Sequence, residues 1–321
     1  MARADVVISG VGLVTALGAD ADSTARAWRE GAPLPRRRWE ELAGTAYARA
    51  EHAFVPESSD ARAVGGRMAK FMSHAALLGC LAARAAAQDA AVQRRFAPER
   101  VGLFAGSGLA AADVAEVLPM LRASIGPDGH FSCRLFGERG LAATNPVLSF
   151  KILSNMPPCF VSINETIKGP NCIFTPWEGQ TAYALLEAWD AVAEGGVDCA
   201  FAGAADDPTN PATFIYIEQQ GLLGAGEIPA PAAAYLILER RASAERDGRA
   251  PHARIVHMET AAAASAAGDG LAPRLGRTFA AAPAVQLALG ALGLFAQGRS
   301  CGADGREFRF ELEHLPCNAS R

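Results

Sequence analysis

Residues 168–178 read KGPNCIFTPWE, and this stretch decides which fold the sequence predicts. The glycine, proline and asparagine at residues 169–171 are typical of a tight turn, because each favours backbone angles that turns require. The apolar run at residues 172–175 has the length and composition of a short buried strand. After Glu178, the alanine- and leucine-rich residues 180–194 predict a helix. A strand that leads into a helix in this way is the repeating unit of an α/β protein.

The same alternation of apolar strands and helices extends along the rest of the chain. The expected strands are residues 6–9, 101–105, 161–163, 172–175, 199–203, 235–239, 254–258 and 308–312. The expected helices are residues 23–30, 68–91, 111–123, 145–155, 180–194 and 283–297. Continuous apolar strands between helices indicate sheets that are covered on both faces, so the predicted fold class is α/β. We expect one compact unit with an N-terminal half at residues 1–249 and a shorter half at residues 250–321.

The composition disfavours several classes of function. With 30 basic and 34 acidic residues the formal charge is −4, which gives no reason to expect a nucleic-acid partner. None of the seven cysteines forms a C-x-x-C pair and the six histidines show no metal-ligand spacing, so we expect no metal site. Free thiols and the lack of a signal-peptide pattern favour a cytoplasmic protein. The apolar residues 279–296 contain Pro283 and Gln286 and are expected to form a buried helix, so no membrane partner is expected.

Several segments, taken in order, resemble the β-ketoacyl synthase branch of the thiolase fold. They are ISGVGLVTALG at residues 8–18, RVGLFAGSG at residues 100–108, residues 155–156 with 161–163, IKGPN at residues 167–171 and GVDCAFAGAAD at residues 196–206. Each segment alone is a weak signal, whereas the common order and compatible spacing are specific. The resemblance covers nearly the whole chain and implies a thiolase-like layered αβαβα fold with a truncated C-terminal half.

The resemblance also implies where the catalytic residues of the family would stand. The family's nucleophilic cysteine falls on Glu178, and one of its two histidines falls on Arg277, in the segment APRLGR at residues 272–277. The family's lysine and serine in that segment fall on Ala272 and Pro273. The second histidine has no counterpart, because the stretch that should hold it is mostly missing. A carboxylate cannot serve as the acyl-accepting thiolate, and an arginine cannot cycle a proton near neutral pH. We therefore expect no intact catalytic set and no cofactor.

Individual residues allow both a structural and a functional interpretation. Glu178 either mimics an acylated or carboxylated state or simply caps the helix that follows, where an acidic group is favourable in any protein. Trp177 either plugs the former entrance or packs as an ordinary core residue. Phe131 and Met156 fall where the family lines its acyl tunnel near the dimer interface, and plain core packing is the alternative. Ser107 stands between two glycines without the spacing of a nucleophile elbow, so we expect a turn residue.

The resemblance favours a chain length factor subunit, which is a catalytically silent ketosynthase homologue that pairs with an active ketosynthase. Such a subunit would form half of the dimer interface and shape the acyl tunnel in type II polyketide, polyene or fatty-acyl elongation. Acyl carrier protein would be reached through the complex. Known members often carry glutamine at the cysteine position, so Glu178 is a departure from the pattern. The short second half is expected to expose apolar sheet surface, which a large obligate interface would cover.

Two alternatives are compatible with the same residues. Glu178 could act as a general base while Arg277 binds an anion, which would give a malonyl-carrier decarboxylase or a hydrolase. The chain could instead be a structural scaffold that stabilises an active synthase without touching the substrate.

Overall fold

A computed structural model describes residues 4–56, 64–110, 112–263 and 270–315. The strands are β1 (Val6–Val14), β2 (Arg36–Arg38), β3 (Glu51–Ala53), β4 (Val101–Ser107), β5 (Asn171–Phe174), β6 (Cys199–Asp206), β7 (Ala232–Arg240), β8 (Ala253–Ala262), β9 (Gln297–Cys301) and β10 (Arg306–His314). Eight of them form one mixed sheet in the order β5-β4-β6-β7-β1-β8-β10-β9, and β2 pairs with β3 in a separate ribbon.

Helices cover the faces of the large sheet. They are α1 (Ala21–Glu30), α2 (His74–Asp89), α3 (Val92–Arg95), α4 (Val114–Ala123), α5 (Cys133–Leu135), α6 (Leu148–Ile152), α7 (Met156–Glu165), α8 (Glu178–Ala193), α9 (Pro211–Gln219), α10 (Arg241–Arg246), α11 (Ala272–Leu275) and α12 (Ala282–Ala291). Short 3₁₀ turns lie at Gly66–Phe71, Pro98–Arg100, Leu141–Ala143 and Phe279–Ala281, and a π turn lies at Phe136–Gly140. Within the described ranges, no helix is both long enough and apolar enough to cross a membrane.

The sheet is buried on both faces over its N-terminal half. β4 runs parallel to β5 and to β6, and such neighbours need crossover connections that place helices on the faces. Helix α2 packs on one face in a core that includes Leu103, Phe160, Val161, Phe201 and Tyr235. Helices α8 and α12 pack on the other face in a core that includes Leu185, Leu236, Val285, Phe308 and Phe310. The predicted α/β class is confirmed.

The approach of α2 to the sheet depends on glycine in β1. A Cβ atom on Gly12 would lie 1.8 Å from the carbonyl oxygen of Ala82, and one on Gly10 would lie 2.4 Å from that of Ala86. Real atoms cannot come so close, so a side chain at either position would push α2 away from the strand. These glycines therefore set the spacing between helix and sheet.

The second half of the sheet has one face in the core and one in solvent. Phe310 of β10 points into the core, whereas its neighbours on the other face, such as Arg309 and Glu313, are exposed. Cross-strand ion pairs cover that face, with Arg254 at 2.6 Å from Glu313 and Arg309 at 3.6 Å from Glu259. The expectation of an exposed apolar sheet surface is therefore wrong, because charged residues occupy the positions that face outward.

Residues 161–163, expected as a strand, lie inside helix α7. Two prolines follow Met156 in the first turn of this helix, where their fixed φ angle is compatible with helical geometry. Phe160 and Val161 then pack in the same core as the buried side chains of α2. A run of three apolar residues carries too little periodicity to separate a strand from a buried helix, which explains the error.

Two other elements have different limits from those expected. The helix predicted at residues 283–297 ends at Ala291, followed by Gly293 in a left-handed conformation with φ of 78°. Residues 297–301 form strand β9 instead. The helix predicted at residues 68–91 begins only at His74, where the Ser73 side chain accepts a hydrogen bond from the backbone N–H of Ala76 at 3.3 Å. The division of the chain at residue 249 stays a prediction.

Candidate functional site

Glu178 is the first residue of α8, a few residues after the end of β5. Its side chain is almost completely buried, with 1% of the residue exposed. The first backbone N–H groups of a helix lack partners inside the helix and carry a partial positive charge. A carboxylate is therefore stabilised at this point whatever the function of the protein.

The structure brings Glu178 into contact with Arg277, the two residues that the sequence resemblance predicts at catalytic positions of the family. Arg277 Nη2 donates a hydrogen bond to Glu178 Oε1 at 2.8 Å, and the backbone N–H of Ala303 donates to Oε2 at 3.0 Å. Arg277 Nη2 also lies 3.4 Å from the carbonyl oxygen of Cys301, and only 6% of Arg277 is exposed. Both carboxylate oxygens thus have donors, and the two opposite charges form a buried ion pair.

A fixed loop holds Arg277 in this position. The backbone N–H of Arg277 donates to the carbonyl oxygen of Ile228 at 2.7 Å, and its own carbonyl oxygen accepts from Ala230 N at 3.0 Å. Gly276 precedes it with φ of 76°, and a Cβ atom there would lie 2.5 Å from Ala230 Cβ. Glycine is therefore required both for the backbone angle and for the close approach of the two segments.

Trp177 belongs to the same cluster through the ring of Phe279. The two ring centroids lie 6.2 Å apart, within the range of favourable aromatic contacts. The guanidinium carbon of Arg277 lies 5.3 Å from the centroid of the Phe279 ring, which is a cation–π contact. The start of α8 is therefore surrounded by an ion pair and two aromatic rings.

Asp206, at the end of β6, is a second buried carboxyl group beside this cluster. Its Oδ2 accepts a hydrogen bond from the backbone N–H of Ala280 at 3.0 Å. Burial raises the pKa of Asp206 well above its ordinary value, and the neighbouring carboxylates of Asp207 and Glu178 add to the rise. The arrangement therefore favours the uncharged form of Asp206 over an additional buried negative charge.

Phe131 and Met156 lie in different environments from Trp177. Phe131 is 52% exposed, and its ring centroid lies 5.9 Å from that of Phe136. Met156 is partly buried at the start of α7 and packs against the core that covers α2. The tunnel role expected for these residues stays a prediction.

A polar cavity of about 460 Å³ opens at the carboxyl ends of β4 and β6. This edge is the usual position of ligand sites in open α/β sheets. Ser107 from β4, His74 from α2 and Asp207 after β6 all contribute to its lining. Charged side chains from other segments complete it, namely Arg37, Arg38, Glu40, Glu41, Asp113, Glu116 and Lys151. Lys151 and Glu116 form an ion pair of 2.6 Å in this wall.

His74 and Asp207 form a hydrogen-bonded pair inside this cavity. His74 Nδ1 lies 2.8 Å from Asp207 Oδ2, while Asp207 Oδ1 accepts from Thr209 N at 3.0 Å and from Thr209 Oγ1 at 2.5 Å. Burial lowers the pKa of His74, but the charge and hydrogen bond of Asp207 outweigh burial and raise the pKa. Burial raises the pKa of Asp207, but His74 and Thr209 outweigh burial and lower the pKa to about 2. The carboxylate thus stays ionised and fixes one nitrogen of the ring.

His74 and Asp207 are the polar pair that reasoning from sequence missed. The two residues are 133 positions apart, and neither lies in a motif that links a histidine to a carboxylate. Asp207 directly follows Asp206 in the segment that resembles the family, which was the one available signal. Ser107, expected as a turn residue, is the last residue of β4 and is 2% exposed.

A metal centre is not indicated by side-chain placement. Among residues 4–56, 64–110, 112–263 and 270–315, no three or more histidine, cysteine, aspartate or glutamate side chains are grouped to hold a metal ion.

The fold, a large mixed sheet covered by helices, is that of a thiolase-like α/β protein. A sequence model of the β-ketoacyl synthase N-terminal domain matches residues 3–234, which is more than half of the chain. The chain therefore belongs to the β-ketoacyl synthase family. No curated protein matches its sequence.

Solved structures with the same fold include ketosynthases and their complexes. One is AntDE:AntF, a type II polyketide synthase acyl-carrier protein in complex with its ketosynthase bound to the hexaketide, at a TM-score of 0.76 and 14% identity. Another is the ishigamide ketosynthase/chain length factor, with a TM-score of 0.76 and 16% sequence identity. A third is a β-ketoacyl synthase from Burkholderia phymatum, with a TM-score of 0.74 and 15% sequence identity. Each match covers 98% of this chain and 100% of the other chain. At these identities the similarity shows the fold alone.

Proposed function

We propose that the chain is a catalytically silent, chain-length-factor-like subunit that pairs with an active β-ketoacyl synthase. The observation that carries this proposal is the buried ion pair between Glu178 and Arg277 at the start of α8. An acyl-accepting site there would need a thiolate nucleophile and a group able to exchange protons. A carboxylate and a permanently charged guanidinium supply neither of these, and each neutralises the other.

Burial of Glu178 argues against the decarboxylase and hydrolase alternatives at this position. A general base must reach within hydrogen-bond distance of the proton that it removes. Only 1% of Glu178 is exposed, and donors from Arg277 and Ala303 already bind its two oxygens. Substrate would have to displace a buried ion pair before it could reach the carboxylate.

Exposed apolar residues support a protein partner. Eight of the eleven large apolar side chains that are exposed in the described residues fall between residues 121 and 163. They are Leu121, Ile125, Phe131, Leu141, Phe150, Ile152, Leu153 and Ile163. Strand β5 is also the edge of the large sheet, with one side of its backbone unpaired by the neighbouring strands of this chain. Exposed apolar side chains and a free strand edge are both features that a protein interface can cover.

The solved relatives suggest the kind of partner. One of them is a ketosynthase/chain length factor, and another is a ketosynthase in complex with its acyl-carrier protein. We carry these relationships to this chain as part of the proposal: its partner is an active ketosynthase in the cytoplasm, and acyl carrier protein is met through the complex. The chain then contributes a wall of the tunnel for a growing polyketide, polyene or fatty-acyl product, with Trp177, Met156 and Phe131 as candidate tunnel or interface residues.

Co-expression with the ketosynthase of its own gene neighbourhood tests the proposal. The two chains should elute together in gel filtration, and the complex should elongate acyl chains while this chain alone does not. Trp177→Ala and Met156→Ala should change the product length distribution. Elution of this chain as a monomer that does not bind the ketosynthase would contradict the pairing. An unchanged product distribution in both variants would leave only the scaffold role.

A further inference from the structure

The cavity at the carboxyl ends of β4 and β6 contains three side chains that the proposed function does not use. Ser107, His74 and Asp207 come from three elements and line the same space. His74 Nδ1 is occupied by Asp207 at 2.8 Å, which leaves Nε2 as the free nitrogen of a side chain that is half exposed. A carboxylate on Nδ1 and a free Nε2 are the arrangement by which a histidine serves as a general base.

The position of Ser107 follows from the alternation of side chains along β4. Leu103 and Ala105 lie on the face that packs against α2, so Ser107 lies on that face as well. Its register partner on the neighbouring strand is Ala205, two residues before Asp207. Ser107 is 2% exposed, and among the described residues no side chain or backbone group forms a hydrogen bond with its hydroxyl. Ser107 lines the cavity, so a hydroxyl without a protein partner is available there to a ligand.

Backbone donors border the same space. Leu109 and Ala110 follow Ser107 in the lining of the cavity, and the hydrogen bonds of the described residues include none from their N–H groups. Free N–H groups next to a nucleophile can stabilise the negative oxygen that forms when an acyl carbonyl is attacked. The cavity therefore holds a hydroxyl, a base with its orienting carboxylate, and candidate donors for an oxyanion.

We propose that Ser107, His74 and Asp207 form a second site, separate from the Glu178 cluster, that hydrolyses small polar acyl esters or thioesters. Ser107 Oγ forms a bond to the acyl carbon while its proton passes to His74 Nε2. The bond from that carbon to the alcohol or thiol breaks, and the leaving group takes the proton from Nε2. Water then attacks the acyl-serine, giving its proton to Nε2, and the proton returns to Ser107 Oγ as the carboxylic acid leaves. Asp207 holds the ring and stabilises its charged form without taking a proton.

The charges of the lining select the class of substrate. The cations are Arg37, Arg38 and Lys151, whereas the carboxylates are Glu40, Glu41, Asp113, Glu116 and Asp207. Negative charge is in excess, so an anionic acyl group is disfavoured and a neutral or cationic polar one is accepted. A volume of about 460 Å³ limits the substrate to a small molecule or to the acyl end of a larger one.

The pH dependence of this site is set by His74 and by the groups around it. The groups around the ring are Asp207 after β6, Asp206 at the end of β6, and Arg37 and His52 of the β2–β3 ribbon. The charged side chains named above complete the lining. His74 acts as a base only when its ring is neutral. Because Asp207 raises the pKa of His74 above its ordinary value of 6.5, activity should rise with pH through that raised pKa and then level off.

A fluorophosphonate probe, followed by peptide mass spectrometry, tests the site directly in the full chain. The wild type should form one adduct, at Ser107, and Ser107→Ala should abolish it. His74→Ala should slow labelling about a hundredfold or more, the usual range for loss of a general base. The matched control is His252→Ala, which removes another histidine–aspartate pair, His252 with Asp89 at 2.7 Å, outside the cavity. Hydrolysis of p-nitrophenyl acetate should follow the same order of variants.

The outcomes separate the proposal from its rivals. An adduct at Ser107 with equal labelling rates in His74→Ala and His252→Ala would overturn the role of His74. Labelling of another residue, or none at any pH between about 6 and 9, would overturn the site as a whole. Neither result depends on whether the chain pairs with a ketosynthase, so this site and the proposed function can fail independently.

Discussion

The guanidinium group of Arg277 lies 2.8 Å from the carboxylate of Glu178, although 99 residues separate them in the sequence. Both groups are buried, and the backbone N–H of Ala303 donates to the second carboxylate oxygen. The pair thereby connects the start of α8 to two segments of the C-terminal half. Removal of this buried contact should therefore be measurable as a loss of stability.

Glu178→Ala should lower the free energy of unfolding by about 3–5 kcal/mol, because it leaves Arg277 as an uncompensated buried charge. Denaturant unfolding followed by circular dichroism measures the change. The double variant Glu178→Ala with Arg277→Leu should recover most of the loss, since no buried charge is then left without its partner. Equal stability of Glu178→Ala and the wild type would show that water reaches the pair.

Asp206→Asn should stabilise the protein near neutral pH. Because burial raises the pKa of Asp206, its carboxyl group binds a proton more tightly when folded than when unfolded. The wild type is therefore penalised as pH rises above the ordinary pKa of 3.8, and asparagine removes that penalty. Thermal unfolding of both proteins should show a difference that shrinks toward pH 3 to 4. A difference independent of pH would point to packing instead.

The His74–Asp207 pair should stabilise the fold most between about pH 4 and pH 6.5. Because the pKa of Asp207 is lowered to about 2, its contribution is present above its ordinary pKa of 3.8 and is lost as pH falls through 2. Because the pKa of His74 is raised, its contribution is complete below 6.5 and is lost as pH rises through the folded value. The stability difference between the wild type and His74→Gln, measured across this range, should follow that profile. A difference that grows above pH 8 would contradict it.

Ile163→Glu and Leu153→Glu should weaken association with a ketosynthase at least tenfold. Both side chains are about half exposed in the apolar surface between residues 121 and 163, and a buried charge in an interface opposes binding. Co-elution and surface plasmon resonance measure the effect. Val256→Glu is the matched control, because Val256 is 40% exposed on β8, in the second half of the sheet, and should leave association unchanged. Loss of binding in the control alone would move the interface to that half.

Sequence reasoning identified the cluster at α8 because motif order carries information about distant positions. Glu178 and Arg277 were linked through the segments around them, without any contact being known. No pair of family-like segments linked His74 to Asp207. A histidine at the start of a helix and an aspartate after a strand are each common, so neither indicates a site by itself. Ribbon β2–β3 was missed for a related reason, because three consecutive arginines at Arg36–Arg38 lack the apolar alternation that indicates a strand.

The outer face of β8 and β10 carries paired charges instead of a continuous apolar surface. Its ion pairs between Arg254 and Glu313 and between Arg309 and Glu259 are already satisfied at the surface. Because these side chains are already paired and little apolar area lies between them, this face is poorly suited to a second protein interface.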